Sequence, residues 1–509
     1  MSFSIKPHYK TSFLTPLLCA ALCSCAVGPK GKIPPLPAHT DYRSTPIRQT
    51  AGQTSQDSVL RRQDIIQGLD IPGKWWEVFH NPSLNQLVER ALANSHDLKA
   101  MQEGLKMAWE QRRVEGAALY PTISAQFIPS RNKTSKSLSN VPYANEWLYN
   151  LHTAQLNIGY VPDLWGGERQ AIRAAAAQAN IQRFQLEATA LTLISNIVNG
   201  AITEASFRAQ IEATEALIAQ QKETLAIAER QQTLGDQARL NTLLQQNALA
   251  QLEASLPPLE RDLAQTRTQL ATLAGLTPNQ DIPVFTLDQF TLPQQMPLSL
   301  PSALLEQRPD IRAAQEQIHA AAAQVGISIA NRLPNVQLSA LPGQVVGHMS
   351  QMFKTGYGNW DMMATITQPI FQGGSLLHAQ RAAKKQLHQA TEMYQSTVLS
   401  AVGDVADSLY ALQYDSETLQ AQQKTLESAQ QSLKIAQARK RLGDISQLDL
   451  LTAQSAVAQS QLSFVQAKAV RFSDSVGLFQ ALGGGWWHRN DLGLPPEEAK
   501  RLSTTLVPW

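Results

Sequence analysis

Apolar residues recur every seven positions through the second half of the chain. They are Val398, Val405, Leu412, Leu419, Leu426 and Leu433, with Ala429 and Ala436 between. A seven-residue period marks the seam of paired helices. The stretch that holds it, 374–483, is rich in Ala, Gln, Leu and Ser and contains no proline, so nothing in it bars a helix. Near its middle lies Leu442-Gly443-Asp444-Ile445-Ser446. Gly443 suits a left-handed C-cap, and Asp444 or Ser446 suits the N-cap that follows. The pattern predicts a long helical hairpin with its turn at 442–446.

The same hairpin is written twice. Residues 225–251 align without gaps on residues 433–459, and the turn glycines Gly235 and Gly443 stand 208 residues apart, as do the closing glycines Gly275 and Gly483. Ile227, Leu234, Asp236, Leu240, Leu243, Gln246 and Ala248 match Ile435, Leu442, Asp444, Leu448, Leu451, Gln454 and Ala456. The heptad column recurs as Ile197, Ile211, Ile218 and Leu225, with Glu204 breaking it. Periodicity alone does not produce such a match; a duplication does. Ahead of each hairpin the apolar spacing predicts another helix, 83–118 in the first half, capped by Asn81 or Ser83. Its partner in the second half follows Pro301, and Leu92, Asp97, Ala100 and Ala108 match Leu305, Asp310, Ala313 and Ala321.

After Pro121 and its counterpart Pro334 the period shortens towards two. Residues 122–130 and 151–161 form one pair of predicted strands, joined by a polar loop with Lys133, Lys136 and Asn140; 335–343 and 359–370 form the other. Each pair ends in a proline followed by two glycines, Gly166-Gly167 and Gly373-Gly374. The chain therefore reads as a signal peptide over 1–24, an extended segment over 25–72, a first repeat over 73–280 with its hairpin at 167–275, a linker over 281–300, a second repeat over 301–484 with its hairpin at 374–483, and a tail over 485–509. Pro29, Pro34, Pro35, Pro37 and Pro46 bar helix in the extended segment.

Net charge is +2 and aromatics are 6% of the 509 residues, so no global electrostatic case exists for nucleic acid. Mean hydropathy is −0.22, which leaves a membrane barrel open because barrel strands alternate. Lys6 and Lys10 precede a short apolar run that ends Leu22-Cys23-Ser24-Cys25. This run is too short to span a bilayer and resembles a bacterial lipobox, with Cys25 as the acylated residue. All three cysteines lie in this segment, so the mature chain is expected to hold no disulfide.

Catalytic signatures are absent. There is no phosphate-binding P-loop, no Gly-x-Ser-x-Gly and no His-Glu-x-x-His. Gly356-Tyr357-Gly358 lacks a third glycine and a βαβ setting. His348, Met349, Met352, Met362 and Met363 cluster without a metal-ligand spacing. No enzyme activity, cofactor or metal is expected.

Several motifs occur in order along the mature chain: Cys25-Ala26-Val27-Gly28-Pro29, Trp75-Trp76, Asp97-Leu98, Tyr120-Pro121, Asp163-Leu164-Trp165-Gly166, Arg308-Pro309-Asp310-Ile311, Pro369-Ile370-Phe371 and the two Leu-Gly-Asp turns. With them the chain resembles the TolC-like outer-membrane factors, in particular the lipoprotein branch that serves resistance–nodulation–division efflux systems. The run Gly31-Lys32-Ile33 departs from that branch's more usual aromatic-basic-proline sequence. The resemblance implies a mainly α fold with a membrane β-barrel, built from a duplicated helix, β-hairpin and long helical hairpin, in which a homotrimer makes one α/β tunnel. Four strands per chain agree with this, since membrane barrels start at about eight strands and open edges are not tolerated in lipid. At 1.5 Å per residue the helix from Gly167 to Thr233 reaches ~100 Å. The resemblance further implies a place in the outer membrane, with an inner-membrane transporter and a periplasmic adaptor as partners and no nucleic acid. The adaptor would meet the hairpin tips, Leu234, Gly235, Asp236, Leu442, Gly443 and Asp444. Asp449 would help close the periplasmic gate, although Thr452 stands where a second acid is often found. The function implied is a passive exit duct of a tripartite efflux pump. The exit duct of a type I protein-secretion system and an intracellular coiled-coil scaffold are the alternatives, and the lipobox and strand pairs oppose the scaffold.

Overall fold

A computed structural model describes residues 26–35, 42–53, 57–133, 148–235 and 238–489. Cys25 and the signal peptide, Lys136 and Asn140 in the strand-connecting loop, the tip residue Asp236 and most of the tail lie outside the described residues. In chain order the elements are β1 (Asp64–Gln67), α1 (Pro82–Asn94), α2 (His96–Ala117), β2 (Thr122–Lys133), β3 (Leu148–Tyr160), α3 (Gly167–Thr233), α4 (Arg239–Leu273), β4 (Gln295–Leu298), α5 (Pro301–Gln307), α6 (Pro309–Ala330), β5 (Asn335–Ala340), β6 (Gly343–Val346), β7 (Gly358–Asn359), β8 (Met362–Thr367), α7 (Ser375–Arg441) and α8 (Gln447–Ala481). The duplication is kept to the residue: α3 and α7 each have 67 residues, α4 and α8 each have 35.

Contacts divide the chain into two compact units. One holds the chain up to Pro34 with Lys106–Ile181 and Ala314–Tyr394; the other holds Pro35–Leu105, Gln182–Ala313 and the chain from Gln395 onward.

The first unit contains the sheet. β2 pairs antiparallel with β3, β3 with β5 and β6, β5 with β8, and β6 with β7. In effect there are four strands, because β5 and β6 lie along one line and β7 and β8 along another. The predicted strand 335–343 is interrupted at Leu341-Pro342, where proline offers no N–H to a ladder. The register survives the break: Ala340 faces Met362, Gly343 faces Asn359, and Leu341 N–H donates to the Asp361 carbonyl at 2.8 Å. β2 and β3 extend further towards their shared loop than the predicted 130 and 151. The Asp163-Leu164-Trp165-Gly166 motif fixes the start of α3. The Asp163 carboxylate accepts from the backbone of Glu168 and Arg169 at 3.2 and 3.1 Å, and Trp165 Nε1 donates to the Pro334 carbonyl at 2.6 Å.

The second unit buries an aromatic core. Trp75 stacks on Phe479 at 5.3 Å, and Phe472 lies between Phe79 and Phe290 at 6.3 and 5.8 Å. Each such pair adds about 0.5–1.5 kcal/mol beyond its buried area. Gly484 closes over this core with φ 65°; a side chain there would be strained by that backbone, and its Cβ would stand 2.2 Å from Leu191 Cδ1, which would have to move. The Arg308-Pro309-Asp310 motif is a fastener. Arg308 grips Asp310 with Nε and Nη2 at 3.0 and 2.7 Å, and its Nη1 reaches Asp404 at 2.8 Å and the Ala481 carbonyl at 3.2 Å. One guanidinium thus joins the start of α6 to α7 and to the last turn of α8.

One expectation changes. The predicted helix 83–118 is two helices that break at Ser95, whose Oγ accepts from Leu98 N–H at 3.4 Å. Its counterpart breaks at Arg308, held extended (φ −87°, ψ 123°) by the following proline. The extended segment is not featureless. Within the second unit β1 pairs in parallel with β4, and residues 49–53 and 57–63 lie along α7 and α8, with Ala51 N–H on Ser416 Oγ at 3.0 Å and Gln63 Nε2 on Ser475 Oγ at 3.3 Å.

Candidate functional site

Residues paired directly across an antiparallel sheet share a face, and neighbours along a strand alternate. The continuous register therefore sorts every strand residue. One face carries Ile123, Ala125, Phe127, Ala154, Leu156, Ile158, Tyr160, Val336, Leu338, Ala340, Met362, Ala364 and Ile366. The other carries Thr122, Ser124, Gln126, Thr153, Gln155, Asn157, Asn335, Gln337, Ser339, Thr365 and Thr367, with Ile128, Leu151, Val345 and Met363 among them, while His152, Asn150 and Gln344 fall on the apolar face. On this polar face Gln155 Nε2 donates to Asn157 Oδ1 at 2.9 Å, and Asn157 Nδ2 donates to Gln126 Oε1 at 3.0 Å. Basic residues Arg131 and Lys133 fall on the apolar face, at its loop end. The two faces are what a membrane barrel wall needs, apolar to lipid and polar to a lumen. β2 and β3, at 12 and 13 residues, suffice to cross a bilayer when tilted. Among the described residues β2 and β8 each have one open edge. Tyr120, Ile370 and Phe371 are exposed at the helix end of the strands, where interfacial anchors belong. The clustered methionines divide: Met362 lies on the apolar face, Met363 on the polar face, and Met352 is buried. No helix of the described residues is long and apolar enough to cross a membrane.

The hairpin tips are bare. Leu234 is 71% and Leu442 83% exposed. Gly235 and Gly443 take φ 81° and 76°, and a Cβ on either would meet nothing within 4 Å, so within the chain the left-handed turn, and not crowding, calls for glycine. Around Gly443 the turn is a Schellman motif, with Asp444 N–H on the Arg439 carbonyl and Gly443 N–H on the Lys440 carbonyl, both at 3.0 Å. Of the two N-cap candidates Ser446 takes the role and Asp444 pairs instead with Arg439 at 2.8 Å.

Asp449 completes a capping box. Ser446 Oγ accepts from Asp449 N–H at 3.2 Å, and Asp449 Oδ2 accepts from Ser446 N–H and Oγ–H at 3.0 and 2.7 Å. These two bonds from Ser446, with lesser help from Arg439 and Lys440, hold its pKa below the ordinary carboxylate value. In the single chain Asp449 is therefore ionised and partnered.

Ala26 to Gly28, which follow Cys25, are seated in the first unit. Val27 N–H donates to the Trp165 carbonyl and Gln170 Nε2 to the Val27 carbonyl, both at 3.1 Å. A Cβ on Gly326 would stand 2.8 Å from that carbonyl, and one on Gly166 2.7 Å from Ala26 Cα.

The residues missed from sequence are those whose role lies in pairing. Glu204 is the main one; it is fully buried and bound by Arg208 at 2.9 Å and Arg267 at 2.5 Å. Its only sequence signal was the break in the heptad column.

Known proteins share this arrangement throughout. The chain is 30% identical over 419 residues to the pyoverdine export outer membrane protein OpmQ of Pseudomonas aeruginosa, covering 81% of this chain and 87% of that relative. It is 28% identical over 451 residues to the toluene efflux pump outer membrane protein TtgC of Pseudomonas putida, covering 88% and 92%. The solved outer-membrane channel OprN superposes with a TM-score of 0.79 at 25% identity, covering 91% of this chain and all of that one. The family model described as outer membrane efflux protein matches twice, over residues 87–276 and 300–484; with both repeats matched and the channel fold shared, the chain belongs to the outer membrane efflux protein family, a family of channels and not of enzymes.

Proposed function

We propose that three copies of this chain close their sheets into one 12-stranded barrel in the outer membrane and form the passive exit duct of a tripartite efflux pump. The observation that carries this is the two-faced, four-stranded sheet with open edges. Those edges are costly in lipid, four strands fall short of a barrel, and pairing β8 of one copy with β2 of the next removes every edge. Cys25 bears the lipid anchor, and the seating of Ala26–Gly28 beside the strand ends supports an anchor held close to the barrel. The exposed tips at Leu234-Gly235-Asp236 and Leu442-Gly443-Asp444 dock a periplasmic adaptor, which connects the duct to an inner-membrane transporter. Asp449 lines the closed periplasmic end, one carboxylate per copy. The named relatives export toluene and pyoverdine, which favours small toxic or chelating compounds as cargo and disfavours the secretion-system alternative.

Cross-linking and mass measurement of the detergent-extracted protein test the trimer, and a monomer under all mild detergents would refute it. Mass spectrometry of the mature N-terminus should find acylated Cys25. Leu234→Trp and Leu442→Trp trimers, present at normal levels, should leave a channel-deleted host drug-sensitive; full resistance in such cells would remove the tips from the docking surface.

A further inference from the structure

The loop end of the sheet is basic and free of acid. Residues 122–133, 148–160 and 335–360 hold Arg131, Lys133 and Lys354 and not one Asp or Glu, although the whole chain carries 41 acids against 43 bases. All three basic residues are exposed, and among the described residues no carboxylate pairs with them. The register sets the height of the first two. Mainly apolar rows of the apolar face run from Val336–Ile366 at the helix end to Pro129–His152–Val346 at the loop end. They span about ten residues of strand, ~25 Å of height at ~3.3 Å per residue and a tilt of ~40°. The apolar band of a membrane barrel has that height. Arg131, opposite Asn150, occupies the next row of this face, and Lys133 the one after.

The segment Phe353–Lys354 is fastened to the same face. Gln344 stands there opposite Ala154; its Oε1 accepts from Phe353 N–H at 2.5 Å, and its Nε2 donates to the Lys354 carbonyl at 3.5 Å. Phe353 is held at φ 65°, a left-handed backbone that strains a bulky residue, yet its ring is 81% exposed. The chain thus spends strain on an aromatic ring that packs on nothing of its own, beside a lysine. Strain of this kind gathers at functional sites. Trp360, two residues on from Gly358, which pairs with Gln344, is 74% exposed on the apolar face.

We infer that Arg131, Lys133 and Lys354 form a basic collar just beyond the apolar band, and that it binds the phosphate groups of outer-leaflet lipid headgroups. The inference rests on the duct reading above, which turns the apolar face to lipid and the loop end to the cell exterior. Closing three copies sets β7 and β8 of one chain beside β2 of the next, so the collar runs round the barrel. Arg131 offers a planar fork that matches phosphate bidentately, and Lys133 a compact charge ~7 Å further along the strand. Asn150, directly across from Arg131, adds an amide donor. No acid of the described wall repels the phosphates. A phosphorylated glycolipid fits better than a soluble anion, because the rings of Phe353 and Trp360 stand on the charged face where acyl chains meet headgroups.

Full-length trimers in detergent, titrated with lipid A bearing two phosphates and read by native mass spectrometry, test this. Wild type should retain the lipid and should bind its fully dephosphorylated form far more weakly. At roughly fivefold per basic group, R131Q/K133Q trimers present at normal levels should lose about 25-fold in affinity for the two-phosphate form, and Lys354→Gln trimers about fivefold. Raising the salt should narrow both differences. Equal affinity of wild type for the two lipid forms, or unchanged affinity in R131Q/K133Q trimers, would overturn the collar and leave the duct in place. Inorganic phosphate that displaces lipid A at equal concentration would also overturn it, by showing a site for soluble anions. A chain that forms no trimer in any mild detergent would overturn the duct reading, and the collar with it.

Discussion

The two hairpins are the same length and come from one ancestor, yet they solve the same spot in opposite ways. In the first, Glu204 is completely buried and held by Arg208 and Arg267, and Arg267 also donates to the Ile282 carbonyl at 3.2 Å. The positions 208 residues later are Leu412, Ser416 and Ser475. There Leu412 is 1% exposed, and the two serine hydroxyls, fully buried, accept from the extended segment at Ala51 and Gln63. A charged triad in one repeat is a leucine and two hydroxyls in the other. The difference follows from what covers each site. Ala51 and Gln63 bring a backbone and an amide donor to the second hairpin, which need small acceptors. The buried polar stripe continues down α3 only, where Gln210 accepts from Gln466 at 2.9 Å and Gln221 donates to Gln245 at 2.8 Å. On α7 the buried residues below Ser416 are Leu419 and Leu426. The lesson is that a buried charge survives duplication only where its whole set of partners survives with it.

This contrast can be broken from either side. Leu412→Glu buries a carboxylate where serines stand in place of the first repeat's two arginines and should have the largest effect, about 3–5 kcal/mol, seen as lost trimer yield or a fall in thermal unfolding temperature in detergent. Glu204→Leu alone strands two arginines that are about a third exposed, so the loss should be smaller, ~3 kcal/mol. The triple change E204L/R208S/R267S copies the second repeat and should recover most of that loss; a triple variant as unstable as the single one would show that the triad matters for more than its own pairing.

A second contrast is in titration. Asp474 on α8 hydrogen-bonds Asp415 on α7, and burial together with that neighbouring carboxylate pushes its pKa from 3.8 to about 8, against the pull of Arg471. The first repeat has Phe207 and Thr266 at these positions. The folded state thus holds a proton that the unfolded chain releases at lower pH, so this group's contribution to stability is fully present below pH 4 and is lost as pH rises to about 8. Thermal unfolding across that window should show the decline, and Asp474→Asn should flatten it. A wild-type profile that rises from pH 5 to 8 would argue against the raised pKa of Asp474 unless the variant rises more steeply.

Smaller effects sharpen the comparison. α4 carries Pro257 and Pro258 inside the helix, where α8 has Val465 and Gln466. Each proline removes a helical hydrogen bond. Pro257→Val with Pro258→Gln should stabilise the first hairpin by about 2 kcal/mol and slow hydrogen exchange of the amides around that site. Least of all, Gly235→Ala and Gly443→Ala should each cost ~1 kcal/mol for the left-handed turn, equally in both repeats because neither glycine touches anything.

Much of this was legible along the chain. The heptads, the proline-free run and the Leu-Gly-Asp turns announced two hairpins because helix, seam and C-cap each depend on residues close in sequence. The strand pairs were readable for the same reason, although their ends were short by up to three residues on the loop side. The helix break at Ser95 was not readable, since no proline or glycine marks it. The choice of Ser446 over Asp444 as N-cap turned on whether Arg439 was near enough to claim Asp444.

Local chemistry, then, determined which segments are helix, strand and turn, and the internal match determined that the molecule is built twice. The faces of the strands were present as alternation, but only the register set Ala340 in one row with Ile158 and Ile123, because a row joins residues more than two hundred positions apart. Tertiary structure likewise decided that Glu204, an apparent flaw in an apolar column, is the anchor of two arginines. It decided that Arg308 ties three helices, and that Asp474 is buried beside Asp415. Each of these rests on a distance between side chains, which depends on how the elements pack, and packing is settled by the burial of the whole unit and not by any one stretch of sequence.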